Sequence, residues 1–207
     1  VSTYWRTAKL DARSETAFLK AFDALLSKTD HRVRMERMLY DARVRSAERV
    51  AERADGTALM KAWAAVIRGR KNAEDLLDAV PDTERSAGYT FARTRFLRRA
   101  GRFEEAAELM LTAPRDANSL IDPDEWWVER RVLSRELLDI GDAETAYRVA
   151  AAHSAESPSR AADAEFHAGW YALRFLKNPE AAARHFARIA EIAEGPISSA
   201  RANYWLG

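Results

Sequence analysis

Gly101-Arg102-Phe103-Glu104-Glu105-Ala106 decides the fold. A glycine closes a helix-patterned stretch, because it accepts the left-handed backbone with which helices end. Glu104 and Glu105 then fall in the first turn of a new helix, where acidic groups complement the dipole. Ala106 is small enough to let a second helix come close. The six residues read as a hinge between two antiparallel helices.

The same layout returns along the chain. It stands as Gly141-Asp142-Ala143-Glu144-Thr145-Ala146, as Lys177-Asn178-Pro179-Glu180-Ala181-Ala182 and as Lys71-Asn72-Ala73-Glu74-Asp75-Leu76. More faintly it stands as Ala42-Arg43-Val44-Arg45-Ser46-Ala47. The starts at 42, 71, 101, 141 and 177 lie 29, 30, 40 and 36 residues apart, and one further step of 30 lands on Gly207. Between the hinges apolar residues recur at helical spacing, as in Phe91, Phe96 and Leu97, or Trp126, Trp127, Leu133, Leu137 and Leu138, or Phe166, Trp170, Leu173 and Leu176. No stretch alternates with the period of two that a strand requires. Irregular helix–turn–helix units near ~34 residues define an all-α fold, an α-solenoid of tetratricopeptide-like helical hairpins forming an α–α superhelix. Hairpins are expected at about 31–53, 57–80, 86–113, 124–152 and 162–194, after a leading helix in 1–30. A lone helix from 197 to 207 opens an incomplete sixth unit. The whole of 1–207 is read as one superhelical segment, a piece of a larger or processed protein.

Composition narrows the chemistry. The 207 residues carry 33 Lys+Arg against 32 Asp+Glu, so no bulk charge draws a polyanion such as nucleic acid. With 47% hydrophobic residues the chain can bury a core, yet no apolar run approaches the ~20 residues of a membrane span. The absence of cysteine removes disulfides, thiolate metal sites and thiol nucleophiles. It does not fix the compartment, since an oxidising space permits disulfides without requiring them.

Motifs for cofactors and catalysis are missing: no phosphate-binding loop, no dinucleotide fingerprint, no His-Glu-x-x-His, no Gly-x-Ser-x-Gly. No cofactor, metal or catalytic residue is therefore expected. The histidines His31, His153, His167 and His185 are scattered. His167 and His185 are close enough in the hairpin pattern to meet, but read as structural residues. The carboxylates Glu104/Glu105, Asp122/Asp124/Glu125 and Asp163/Glu165 are expected at helix starts, where capping explains them. Two features are left as candidate contacts to a partner. Arg95, Arg98, Arg99 and Arg102 fall on one helical side, suited to carboxylate or phosphate, or else to neighbouring glutamates. Trp126 and Trp127 point about 100° apart on a helix, so one either joins the core or faces a groove where it stacks on a sugar or peptide.

Several segments, taken in order, resemble the superhelical region of soluble lytic murein transglycosylases of Gram-negative bacteria. Asp30-His31-Arg32-Val33-Arg34-Met35-Glu36-Arg37-Met38-Leu39-Tyr40-Asp41 is similar to one family segment, with Tyr40 where Trp is usual. Glu125-Trp126-Trp127-Val128-Glu129-Arg130-Arg131 with Leu133, Gly141-Asp142 and Ala146-Tyr147 resembles the next helical pair. Ala164-Glu165-Phe166-His167-Ala168-Gly169-Trp170 with Leu173-Arg174-Phe175, and Pro196-Ile197-Ser198-Ser199-Ala200-Arg201-Ala202-Asn203-Tyr204-Trp205-Leu206-Gly207, are the most specific. The likeness runs from about residue 30 to the end, with weaker matches at Trp5 and Phe18-Leu19.

The resemblance implies a periplasmic parent enzyme. It would cleave the bond between N-acetylmuramic acid and N-acetylglucosamine in peptidoglycan, leaving a 1,6-anhydro product, with one glutamate of a C-terminal lysozyme-like domain and no metal. Of that domain's Glu-Ser and Gly-Leu-Met-Gln segments, the second does not occur in this chain, and the dipeptide Glu156-Ser157 stands without it, before a proline. The expectation is a non-catalytic scaffold, touching peptidoglycan glycan strands through the parent and packed on its catalytic domain, with no nucleic-acid partner and no membrane span. Two other readings stand beside it: a stand-alone tetratricopeptide-like adaptor holding a protein or peptide, and an enzyme whose site carries no recognised motif.

Overall fold

A computed structural model describes residues 1–192 and 195–207, without the side chains of 197–199. Among the described residues the chain is all-α, with 14 α-helices and no strand. The expected hairpin at 162–194 ends on two residues outside the described ones. Contacts divide the chain into two compact units, Val1–Phe96 and Leu97–Gly207. In each, consecutive helices pack as pairs and each pair leans on its neighbours, in the manner of a solenoid.

The first unit holds α1 (Ser2–Thr7), α2 (Ala12–Phe22), α3 (Lys28–Tyr40), α4 (Val44–Val50), α5 (Thr57–Ile67), α6 (Ala73–Asp78) and most of α7 (Ala87–Arg99). α3 pairs with α4, and α5 with α6. The leading stretch forms two helices, because Asp11 caps a fresh helix by accepting from the Ser14 amide. α3 begins in a capping box: the Ser27 hydroxyl accepts from the Asp30 amide at 3.2 Å, and Asp30 accepts from the Ser27 amide at 2.7 Å. Arg34 ties this stretch down. Its guanidinium lies 4.2 Å from the Trp5 ring centroid, donates to the Trp5 and Ala8 carbonyls at 2.6 and 2.8 Å, and pairs with Glu15. Tyr40, Trp63 and Phe91 meet in the core, with the Tyr40 ring 4.8 Å from each of the others.

The second unit holds α8 (Phe103–Leu111), α9 (Ala117–Leu120), α10 (Pro123–Asp139), α11 (Ala143–Ala151), α12 (Pro158–Arg174), α13 (Pro179–Ile192) and α14 (Pro196–Leu206). α10 pairs with α11 and α12 with α13, while α14 packs on α13. The α12–α13 contact is close because residue 169 has no side chain. A Cβ there would stand 2.7 Å from Cε1 of Phe186. Phe186 in turn stacks on Trp205 of α14, with ring centroids 5.7 Å apart.

The hinges share one construction. Ala42, Gly69, Gly101, Gly141 and Lys177 all have positive φ. After the first four, the next amide reaches back five residues: Arg43 to Met38, Arg70 to Ala65, Arg102 to Leu97 and Asp142 to Leu137, at 2.7–3.0 Å. This bond satisfies a carbonyl that the helix end would otherwise leave unpaired. In all five repeats the following helix begins at the third residue of the repeated layout: Val44, Ala73, Phe103, Ala143 and Pro179. One register differs. The left-handed residue before α6 is Gly69 rather than Lys71, so that turn is two residues longer.

Candidate functional site

The four arginines singled out from the sequence are each engaged. Arg95 places its guanidinium 4.5 Å from the Phe91 ring centroid. Arg98 forms an ion pair with the buried Glu129, and Arg102 pairs with Glu105 at 2.6 Å. Arg99 is exposed and is not without a partner. The glutamate-paired arrangement thus describes Arg98 and Arg102.

Trp126 and Trp127 are both buried, at 1% and 0% exposure, so neither offers a ring face to a groove. Proline at the first position and Asp122 at the N-cap set the phase of α10 so that both indoles turn inward. Trp126 donates to the Leu120 carbonyl at 3.3 Å, and Trp127 donates to Asp163 at 2.9 Å. The His153 and His167 rings pack edge-on against Trp127, at 6.0 and 5.5 Å.

Asp163 and Glu165 do not lie at a helix start. Pro158 opens α12, one turn and more before them, so both project from the helix interior. Glu165 lies between two histidines, 3.3 Å from Nε2 of His153 and 2.6 Å from Nδ1 of His185. The Ala155 amide donates to His153 Nδ1 at 3.3 Å, which leaves the His153 proton on Nε2, facing Glu165. Tyr147 stands 3.2 Å from His185 Nε2, so the other imidazole also directs an N–H at the carboxylate. Burial raises the Glu165 pKa, but the two histidine hydrogen bonds outweigh it and hold the group at about 2. The pair that meets is therefore His153 with His185; His167 lies apart. Its Nδ1 donates to the Asp163 carbonyl at 2.7 Å and its Nε2 accepts from Arg135 at 3.1 Å, an arrangement only the neutral ring can make. Burial accordingly lowers its pKa.

The carboxylates buried deepest are committed to cations: Glu15 to Arg34 and Arg49, Glu36 to Arg32, Glu129 to Arg98. Arg130, itself buried, donates to the Val149 and Met110 carbonyls at 3.3 and 3.2 Å. Burial lowers its pKa to about 10. Chemically these groups staple helices to one another. Among the described residues no group of three histidines or carboxylates is arranged to hold a metal ion. No described helix is long and apolar enough to cross a membrane.

Two surface features of the second unit bear on binding. An open groove of about 560 Å³ is lined by Trp170, Phe175, Phe166 and Arg135, with Phe175 44% exposed. A smaller cavity of about 280 Å³ lies among α10, α12, α13 and α14, and three arginines line it. Sequence spacing did not mark either, since each draws residues from helices far apart in the chain. Compared with known protein families, with curated proteins and with solved structures, the chain matches none.

Proposed function

We propose that this chain is a non-catalytic helical scaffold of a periplasmic lytic murein transglycosylase. The observation that carries the reading is where the resembling segments fall. They lie on α3, α10, α11, α12 and α14, and Tyr40, Trp127, Phe166 and Trp205 among their aromatic residues form joints between helix pairs. Tyr40 meets Trp63 and Phe91, Trp127 bonds Asp163, and Phe166 and Phe186 pack on Trp205. The likeness therefore sits on residues that set the spacing of helices, which is what a scaffold preserves. The catalytic glutamate of such an enzyme would belong to the parent's lysozyme-like domain, because that chemistry requires a carboxyl held neutral. Glu165, at about 2, is held ionised.

In this reading the scaffold shapes the enzyme and offers glycan strands a wide, weak contact. The open groove beside Trp170 and Phe175 replaces Trp126 and Trp127 as the aromatic surface for a sugar ring. Co-sedimentation of the purified chain with insoluble peptidoglycan tests this. The chain should pellet with the wall material, and Trp170→Ala with Phe175→Ala should weaken the interaction. A chain that stays in the supernatant at every concentration contradicts it and favours the alternative, an adaptor for a protein or peptide.

A further inference from the structure

We propose that the cavity lined by Arg131, Arg160 and Arg201 is a binding site for a compact oxyanion, a phosphate or a carboxylate group. The proposal does not rest on the scaffold reading. Three arginines from three helices, α10, α12 and α14, line a space of about 280 Å³. Asp163, the acidic side chain of the lining, lies 3.1 Å from Arg131 and takes up that charge. Among the described residues no carboxylate pairs with Arg160 or Arg201, so the lining carries three arginines against one aspartate, which Arg131 already engages. Like charges that line one pocket repel, and an anion between them offsets that repulsion.

The arginines are also presented in a particular way. Arg201 holds its guanidinium over the Phe166 ring, 4.8 Å from the centroid, a stacking that orients the planar fork without using its donors. Arg131 is fixed by Asp163, which is itself fixed by the Trp127 indole, and its Nε is buried with no partner. Arg160 stands in the first turn of α12, and Ser159 beside it adds a hydroxyl. A cavity of this size admits one oxyanion with a few attached atoms. Paired forks suit two oxygens of one group, a geometry phosphate and carboxylate share.

Titration of the full chain at low ionic strength, with inorganic phosphate in one arm and succinate in the other, tests the site. Amide NMR shifts and calorimetry are the readouts. Saturable binding in either arm, with the largest shifts at Ser159 and Arg160, is expected, and the arm that binds identifies the oxyanion. Arg160→Gln with Arg201→Gln should raise the dissociation constant about tenfold or more. Arg68→Gln, elsewhere on the chain, should leave it unchanged. Non-saturable shifts in both arms overturn the proposal. So do shifts centred elsewhere on the wild-type chain, and so does affinity retained in a double variant with unchanged circular dichroism.

Discussion

The carboxylate of Glu165 and the imidazole of His185 meet at 2.6 Å and join α12 to α13. With His153 on its other oxygen, Glu165 receives two N–H donors while ionised and loses acceptor capacity when protonated. Its folded pKa of about 2 lies below its ordinary 4.5, so its contribution is complete above that ordinary value and is lost as pH falls through 2. His167 acts earlier. Its pKa is lowered from 6.5 by burial, so the folded state favours the neutral ring, and stability drops as pH falls below 6.5. Denaturation midpoints should therefore fall in two stages on acidification, one starting near 6.5 and one below 4.5. Glu165→Gln should remove most of the second stage in the second unit and cost about 1 kcal/mol at neutral pH.

The hinges make a paired prediction. A Cβ at Gly101 would meet nothing within 4 Å, yet φ there is +76°. Gly101→Ala should thus destabilise through the backbone alone, by about 1 kcal/mol. Ala42 already holds φ at +56°, so Ala42→Gly should stabilise by about 0.5 kcal/mol. Urea midpoints of the two variants should move in opposite directions.

Arg34 holds the first two helices to α3 through four hydrogen bonds to three acceptors. Arg34→Met keeps the length of the side chain but strands the Trp5 and Ala8 carbonyls. A loss of about 3 kcal/mol is expected, with faster amide hydrogen exchange in α1 and α2 than in α10.

Gly169→Ala should cost about 1–3 kcal/mol, because the added methyl meets the Phe186 ring at 2.7 Å. Phe186→Leu in the same chain should recover part of that loss, so the two changes will not add. Simple additivity would mean that the helices shift apart instead.

The hinges were legible because they are local. The start of the second helix in every repeat follows from residue types within six positions, and Gly101 and Gly141 carry the left-handed turn themselves. The register slipped at Gly69, where Arg70 and Lys71 extend the turn and Asn72 precedes α6. The start of α12 was misplaced for a related reason. Pro158 reads as a break, although at the first helical position it costs no hydrogen bond. That displacement made Asp163 and Glu165 look like first-turn acids. The meeting of Glu165 with His153 and His185, and the arginine cavity, depend on the rotation of helices about one another. Spacing along a chain does not carry that information. The burial of Trp127 likewise follows from Asp163, 36 positions away.

Mass spectrometry of the soluble products after incubating the chain with purified peptidoglycan tests the central claim most directly. A scaffold leaves the wall material intact, so no 1,6-anhydro-muropeptide should rise above the level of a protein-free control. Steady release of anhydro-muropeptides in proportion to the amount of chain would contradict the non-catalytic reading.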